Sequence, residues 1–473
     1  MTRSHERPSA KRSRRGRTTG IPRLAKAHGG MRLAQIVVVI ARHGLGSLVG
    51  LVGSEHHAAT RWIGHRLGDR LHSPPEHVRM ALEELGTTFV KLGQVLSTRG
   101  DLFPPRYQAE LARLQDEGSP EPVEAVLAVV AAELGHPVEE LYLDFEPEPL
   151  ASASIGQAHA ATTVDGVSVV VKVRHSAVVQ EVERDLVLLE RLARRVSNLW
   201  ADGPPYDLVG LTREFSATLR AELDYLREAN NAEHFAATFA HDPTVHIPAV
   251  FRRLSTSRVL TLERVRGTKV TDDEGLEAAG MDRAALARRA AEMELKMVFE
   301  DGFFHADPHP GNFFIEAGGR IGLIDFGMVG TVDAQTKLRL VRVIGALVIR
   351  DGDGLVDAFL ELGIAGAVVD RPGLRADLLA LAQDYLDRPL GEVSLAVILR
   401  ELLAVVRSHR LHLPPNLALL VKTIAMCEGV GAQLDPDFRM TDVLLPFVQR
   451  VLVESAASTG GPTEPAAPEG APR

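Results

Sequence analysis

The chain has 473 residues, of which 45% are hydrophobic and 24% are charged. This is the composition of an ordinary globular protein of about three domain equivalents, and it excludes a largely disordered chain, a collagen-like repeat and a long coiled coil. The one cysteine, Cys427, excludes an intrachain disulfide and a cysteine-cluster metal site, which is typical of a reducing compartment. The net charge of −9 is unevenly distributed, since residues 1–32 carry +9 and the remainder carries −18.

The N-terminal segment, residues 1–30, is rich in Ser, Arg and Gly and has no periodicity, so we predict a disordered basic arm. It lacks the apolar core of a secretory signal. Two interpretations of the arm stay open, binding to an anionic membrane surface and a solvated tail. Nucleic acid is not an expected partner, because the arm has no aromatic residues to stack on bases and the acidic body repels phosphate.

Two apolar stretches, residues 33–52 and 413–430, are long enough to be weighed as membrane-spanning helices. A spanning helix needs about 20 mostly apolar residues without charges. The first stretch is interrupted by Arg42 and by glycines, and the second contains Lys422 and Glu428. We therefore predict no membrane span in either stretch, and a cytoplasmic protein that is at most peripheral at the inner face of the membrane.

The rest of the chain alternates between helical and mixed regions. Residues 78–96 and 208–239 are each predicted as one continuous helical stretch, residues 168–173 as a strand, and the short runs 313–315 and 321–324 as a strand pair. The predicted regions are a disordered basic arm (1–30), a helical N-terminal extension (31–145), a mixed β-rich region (146–270), a mostly helical region (271–455) and a Gly/Pro/Ala-rich disordered tail (456–473).

The strongest chemical signal lies in the segments His-Ala-Asp-Pro-His-Pro-Gly-Asn and Leu-Ile-Asp-Phe-Gly. Asp307 precedes Asn312 by five residues, and Asn312 precedes Asp325 by thirteen. These spacings match the H-R-D-x-x-x-x-N and D-F-G segments of kinases. Phosphoryl transfer needs a carboxylate near the attacking group and hard oxygen ligands for Mg²⁺. The pattern therefore makes Asp307 a candidate catalytic carboxylate and makes Asn312 and Asp325 candidate metal ligands.

The two histidines of the first segment do not form a predicted metal pair. Pro308 and Pro310 interrupt the segment, so His305 and His309 share no helical face. We expect His305 to brace the loop by hydrogen bonds, and the role of His309 stays open.

Upstream, Lys172 is the one charged residue of the apolar run Ser168–Val173. Burying a lysine in such a strand is costly unless it is paired or holds a phosphate, and an edge-strand lysine that points to solvent is the alternative. The preceding segment, Ala151–Gln157, lies where a kinase has its glycine-rich phosphate loop. It keeps only Gly156, so we expect its backbone to approach phosphates less freely than a loop of three glycines.

Three acids, Glu222, Asp224 and Glu228, follow on one predicted helix. Asp224 and Glu228 are four residues apart and share a face, while Glu222 is rotated away from both. We expect one of these acids to pair with Lys172, as kinases require. Lys91, in the tetrapeptide Lys-Leu-Gly-Gln, is predicted on a helix whose face either lines a groove or is solvated.

Together these motifs resemble the UbiB family of atypical protein-kinase-like proteins, which includes coenzyme-Q-associated members. The segment Lys91–Gln94 is similar to the family's KxGQ motif, Ala151–Gln157 to its alanine-rich loop, and Glu222–Asp224 to its ExD motif. The resemblance implies an α+β, bilobal protein-kinase-like fold, with a small β-rich N-lobe, a helical C-lobe and a helical N-terminal extension. Ser152 and Ser154 depart from the alanine-rich pattern, which leaves the nucleotide preference open.

The resemblance also implies ATP and Mg²⁺ as cofactors and a role for each site residue. Lys172 would hold the α and β phosphates of ATP, and Glu228 would orient Lys172. Lys91 and Glu222 would close over the site. Asn312 and Asp325 would bind Mg²⁺, and Asp307 would take the base position. The loop at the nucleotide would consist of Ala151, Ser152, Ala153, Ser154, Ile155 and Gly156.

The function that the resemblance implies is an ATP-dependent kinase or ATPase supporting isoprenoid-lipid, quinone-type metabolism, with isoprenoid lipids or lipid-biosynthesis proteins as partners. The family's KxGQ segment lies over the pocket, which favours ATPase or lipid-linked activity over protein phosphorylation. Two alternatives stay open: a small-molecule phosphotransferase similar to aminoglycoside and choline kinases, which leaves Lys91–Gln94 unexplained, and a nucleotide-binding scaffold without turnover. The retained Asp307, Asn312 and Asp325 argue against the scaffold. The phosphoryl acceptor and the oligomeric state, a homodimer included, stay open.

Overall fold

The computed structural model describes residues 21–43, 72–99, 102–114, 118–198, 207–364, 369–386, 394–444, 446–447 and 450. The first twenty residues of the predicted arm and the whole predicted tail, 456–473, lie outside them. The first described helix begins at Ile21, within the segment predicted as the arm.

Helices dominate the described residues, and strands are short. The helices are α1 (Ile21–Arg42), α2 (Pro74–Leu85), α3 (Thr87–Ser97), α4 (Pro105–Leu111), α5 (Val123–Leu134), α6 (Val138–Leu141), α7 (Val178–Ser197), α8 (Leu208–Glu222), α9 (Tyr225–Thr238), α10 (Asp273–Ala278), α11 (Arg283–Lys296), α12 (Ala334–Val348), α13 (Gly352–Glu361), α14 (Arg371–Leu386), α15 (Leu395–Ser408) and α16 (Pro415–Leu434). The strands are β1 (Tyr142–Phe145), β2 (Ala151–Ser152), β3 (Gly156–Thr163), β4 (Ser168–Arg174), β5 (Val245–His246), β6 (Val259–Glu263), β7 (Thr268–Lys269), β8 (Phe303–His305), β9 (Phe313–Ile315), β10 (Ile321–Leu323) and β11 (Val329–Thr331).

The N-terminal extension consists of α1 to α4. Arg32 of α1 donates from Nε and Nη2 to the two carboxylate oxygens of Asp185 on α7, at 2.8 and 2.7 Å, and from Nη2 to the Leu85 carbonyl at 2.7 Å. Asp185 is buried, and a buried carboxylate needs such a partner. This basic residue therefore ties α1 to the body of the protein.

The predicted continuous helix over residues 78–96 is broken into α2 and α3. Gly86 separates them with a φ of 90°, a conformation that residues with a side chain rarely adopt and glycine adopts readily. The prediction was wrong because the apolar periodicity continues across the break. Lys91 lies on α3, the shorter of the two helices.

The N-lobe is an antiparallel sheet of order β1-β3-β4-β6, with β2 paired to β3. It begins at Tyr142, within the predicted extension. Successive side chains of a strand point to opposite faces. Val169, Val171 and Val173 of β4 are buried in the cluster that includes Val126 of α5. Lys172 therefore lies on the face of the sheet opposite α5.

The predicted helix over residues 208–239 is also two helices, α8 and α9. The chain turns at Leu223–Asp224, and the Asp224 carboxylate accepts a hydrogen bond from the Leu226 amide at 3.1 Å as the N-cap of α9. Glu222 ends α8, whereas Glu228 lies in the first turn of α9. The prediction that one helix carries all three acids is therefore wrong, since Glu222 ends α8 while Asp224 caps the helix that carries Glu228.

The C-lobe holds the two candidate catalytic segments between short strands. The predicted pair of strands is confirmed, because β9 and β10 pair antiparallel within a sheet of order β5-β10-β9-β7. A second small sheet pairs β8 with β11. Phe235, Phe304 and Phe326 are fully buried in the core cluster of this lobe, which fixes the strands that flank both catalytic segments.

Helix α16 is the one described helix that is long and apolar enough to cross a membrane by length and composition, and 56% of its most apolar window is buried inside the protein. It packs against α11. Glu428 of α16 accepts hydrogen bonds from the amides of Leu395 and Ala396, at 3.0 and 2.6 Å, at the start of α15. These contacts are those of a core helix of the C-lobe.

Candidate active site

His305 joins the two catalytic segments. Its Nδ1 accepts a hydrogen bond from the Asp307 amide at 3.2 Å, so the ring proton is assigned to Nε2, which donates to the Asp325 carbonyl at 2.5 Å. Burial lowers the pKa of His305, which keeps the imidazole neutral at pH 7. The brace that we predicted from the sequence is present in the structure.

Asp307 and Asn312 are positioned by the tight loop between them. The Asn312 side chain donates from Nδ2 to the Asp307 carbonyl at 3.1 Å, which leaves its Oδ1 as the atom suited to a cation. His309 accepts the Gly311 amide at 3.1 Å on Nδ1 and caps the short 3₁₀ turn Pro310–Asn312. Oδ1 of Asp307 accepts a hydrogen bond from Lys422 at 3.0 Å.

Asp325 presents a carboxylate that is 48% exposed. Its Oδ1 accepts the Gly327 amide at 2.8 Å, and its Oδ2 lies 3.9 Å from Nζ of Lys172. Desolvation opposes ionisation here, but the Lys172 ammonium and the Gly327 amide outweigh it and lower the pKa of Asp325. The carboxylate is therefore ionised at neutral pH.

The side-chain oxygens of Asn312 and Asp325 are the candidate ligands of a metal ion. Among the described residues, no group of three or more His, Cys, Asp or Glu side chains forms a ready-made metal cage. Mg²⁺ does not require one, because in nucleotide sites it is held by one or two side chains together with phosphate and water oxygens. Asn312 and Asp325 offer hard oxygen atoms of this kind, so the residues present fit Mg²⁺ bound with a nucleotide.

Lys172 is paired across the lobe with Glu228 of α9. The distance from Nζ to Oε1 is 2.5 Å, and the same carboxylate lies 3.4 Å from the Phe326 amide. Burial opposes the charge of this lysine, but Asp325 and Glu228 outweigh burial and raise the pKa of Lys172. The lysine is thus a permanent cation between two carboxylates, and of the three acids it is Glu228 that pairs with it.

The loop before β3 is held by contacts inside the N-lobe. The Ala153 amide donates to the Gly156 carbonyl at 2.8 Å and closes a turn. A side chain at Gly156 would place its Cβ 2.3 Å from the Tyr225 hydroxyl and 2.6 Å from the Val173 carbonyl. Packing inside the N-lobe is thus enough by itself to require glycine at this position.

The N-terminal extension covers the outer side of this loop. Thr87 at the start of α3 donates from its hydroxyl to the Ser154 carbonyl at 3.3 Å. The Gly118 amide donates to the Ser152 carbonyl at 3.3 Å. The loop is therefore held from outside by segments that precede the sheet.

The lysine, the glycine and the glutamine of the Lys-Leu-Gly-Gln motif each have their own contact. Nζ of Lys91 forms an ion pair with Oε1 of Glu222. A Cβ at Gly93 would meet Leu114 at 2.2 Å, and Gln94 donates from Nε2 to the Leu114 carbonyl at 3.2 Å. The motif thus attaches α3 both to the end of α8 and to the segment that follows α4.

Lys422 is the residue of the site that sequence reasoning missed. It was weighed only as a charge that interrupts an apolar helix. A lone lysine in an apolar helix is costly unless it is paired, and this is the signal that would have prompted a search for its partner. The sequence holds no motif that names Asp307 as that partner, 115 residues away.

A β-sheet lobe and a helical lobe with a Lys–Glu pair, an Asp-x-x-x-x-Asn loop and an Asp-Phe-Gly segment between them define a protein-kinase-like protein. Comparisons with known proteins agree. The model of the ABC1 atypical kinase-like domain matches residues 113–359, and that of the UbiB helical domain matches residues 378–439.

Relatives and a solved structure extend this result. The chain is 36% identical over 386 residues to the "Probable protein kinase UbiB" of Marinobacter nauticus, which covers 81% of this chain and 69% of that one. It is 34% identical over 406 residues to an uncharacterised protein of Synechocystis sp., with 86% and 69% covered. The Rv3197–erythromycin complex of Mycobacterium tuberculosis matches with a TM-score of 0.52 and 25% identity, over 78% of this chain and 94% of that one. The chain belongs to the UbiB family of atypical kinase-like proteins.

Proposed function

We propose that this protein is a Mg²⁺-dependent, ATP-using phosphotransferase or ATPase. The observation that carries the proposal is the position of Lys172, 2.5 Å from Glu228 and 3.9 Å from Asp325. A cation held between these two acids is the arrangement that kinases require for phosphoryl transfer. Family membership supports the same reaction class.

Each residue has a part in this reaction. Lys172 binds the α and β phosphates of ATP, and Glu228 holds Lys172 in place. The loop Ala151–Gly156 covers the nucleotide. Asn312 and Asp325 hold Mg²⁺, which when bound neutralises charge on the phosphate oxygens.

The transfer itself takes place at Asp307. Its carboxylate accepts the proton of the attacking hydroxyl or water as the new oxygen–phosphorus bond forms. The bond between the γ-phosphorus and the bridging oxygen breaks at the same time, and ADP leaves. His305 keeps Asp307 and the Asp325 backbone in register throughout, because it is hydrogen-bonded to both segments.

The acceptor is water, a small molecule or a lipid rather than a protein. The ion pair between Lys91 and Glu222 joins α3 to the end of α8. The charge of Lys91 also contributes to the lowered pKa of Asp325. A helix in that position restricts the entry of a polypeptide substrate. The name of the Marinobacter relative supports quinone-type isoprenoid metabolism as the pathway, with isoprenoid lipids or lipid-biosynthesis proteins as partners.

The place of action in this proposal is the inner face of the membrane. Residues 1–20 hold seven Lys or Arg against one Glu. Each basic residue near an anionic surface contributes about 1 kcal/mol to binding. On α1, which follows, Met31 and Val38 are exposed apolar side chains on one helical face.

The test is phosphate release from Mg-ATP by the purified full chain, with anionic and with neutral vesicles. We expect turnover that anionic vesicles raise, and a fall of about 100-fold or more in Asp307→Asn with ATP binding retained. A chain without residues 1–20 is the control for the membrane, and it should lose the response to vesicles but keep Arg32. Equal turnover in Asp307→Asn and in the unmodified protein would overturn the proposed reaction.

A further inference from the structure

The catalytic loop of this protein supplies no cation of its own to its central carboxylate. Between Asp307 and Asn312 the chain reads Pro-His-Pro-Gly, with no Lys or Arg. The histidine of this segment, His309, is engaged with the Gly311 amide. Phosphoryl transfer places negative charge beside this carboxylate, and fixed cations there stabilise the transition state.

A cation at this carboxylate comes instead from Lys422 on α16, 115 residues further along the chain. Its Nζ lies 3.0 Å from Oδ1 of Asp307, and the two side chains are 22% and 36% exposed. The helix that carries the lysine lies in the core, because Leu420 and Thr423 on α16 are buried and α16 packs against α11. The ammonium is therefore presented by a core helix of the C-lobe.

We propose that Lys422 is a positioning residue of the phosphoryl-transfer site, so that the helical domain (residues 378–439) completes the active site. This inference rests on the proposed function. The hydrogen bond from Lys422 occupies Oδ1 of Asp307 and fixes the plane of the carboxylate. Oδ2 then faces the attacking group and accepts its proton.

The arrangement assigns one lysine to each side of the reaction. Lys172, beside Asp325, serves the nucleotide. Lys422, beside Asp307, serves the acceptor side. A change at Lys422 is therefore expected to alter the rate of transfer and to leave ATP binding intact, whereas a surface ion pair of no function would alter neither.

The experiment compares Lys422→Gln and Lys422→Arg in the full chain, with Glu428→Gln as the matched control. Glu428 is the other charged residue of the same helix segment, and its contacts are to the start of α15. For each variant the kcat and KM for Mg-ATP and the thermal midpoint are measured. We expect Lys422→Gln to lower kcat about 10-fold or more with KM changed less than about twofold, and Lys422→Arg to recover most of the loss. Glu428→Gln should lower the thermal midpoint and keep the kcat.

A second comparison tests whether Lys422 acts through Asp307. In an Asp307→Asn background, Lys422→Gln should cause no further loss of kcat, because the carboxylate that it positions is gone. Full additivity of the two losses, or a kcat of Lys422→Gln within twofold of the unmodified protein, would overturn the role of Lys422 while the proposed function stands. Absence of ATP turnover in the unmodified protein would overturn both.

Discussion

The N-terminal extension and the C-terminal helical domain flank the same kinase-like core. Each contributes one lysine that forms an ion pair with an acid of this core, but the two acids differ. Lys91 of the extension pairs with Glu222, and the two side chains are 11% and 21% exposed. Lys422 of the helical domain pairs with Asp307, in a more open contact at the candidate catalytic carboxylate itself. The first pair joins two helices outside the catalytic segments, whereas the second joins a helix to the reacting loop. From this difference we expect a chiefly structural role for Lys91, beside the positioning role proposed for Lys422.

The largest stability effect is expected at the Lys91 pair. Lys91→Ala and Glu222→Ala each leave a partly buried charge without this partner, so each variant should lower the free energy of unfolding. Because the partners touch, the double variant should be less destabilised than the sum of the two, by about 1 kcal/mol or more. Denaturant titration of the single and double variants gives this coupling, and ATP turnover should change in the same variants as the site opens.

Lys269 on β7 provides the control for this cycle, since its side chain is exposed. Lys269→Ala should change the free energy of unfolding by no more than about 0.5 kcal/mol. Strict additivity of the Lys91 and Glu222 effects would show that the two residues do not meet, and the contrast with Lys422 would disappear.

A smaller effect on stability is expected from glycine substitutions in α3 and α16, because the two helices are packed differently at their glycines. A Cβ at Gly93 on α3 would come within 2.2 Å of Leu114 and 2.8 Å of Leu82, whereas one at Gly429 on α16 meets nothing within 4 Å. Gly93→Ala should therefore destabilise the protein by about 1 kcal/mol or more, since two leucine side chains must shift. Gly429→Ala should stabilise it by up to about 1 kcal/mol through helix propensity. Thermal unfolding of the two variants side by side measures the difference, and equal shifts would show that α3 is not tightly packed at its glycine.

The two lysines also differ in whether the sequence alone identifies them as site residues. Lys91, Asp307, Asn312 and Asp325 were recognisable because each belongs to a short motif with fixed spacing. The fold class was implied by the family resemblance that those motifs carry. Such motifs can be recognised without a structure because their residues lie close together in the sequence.

The remaining features depend on tertiary contacts or on single residues. The breaks at Gly86 and at Leu223–Asp224 interrupt an otherwise continuous helical pattern, and periodicity alone does not register a turn of one or two residues. The requirement for glycine at position 156 comes from the hydroxyl of Tyr225, which lies on another element. Lys422 and Asp307 lie 115 residues apart in the sequence and are brought together by the packing of the C-lobe.

Calorimetric titration of ATP with and without Mg²⁺, in the unmodified protein and in Asp325→Asn, tests whether this is a Mg²⁺-dependent nucleotide site. We expect Mg²⁺ to tighten ATP binding to the unmodified protein, and we expect Asp325→Asn to bind Mg-ATP about 10-fold or more weakly because one metal-binding carboxylate is removed. An affinity for ATP that is the same in both proteins, with or without Mg²⁺, would contradict this expectation.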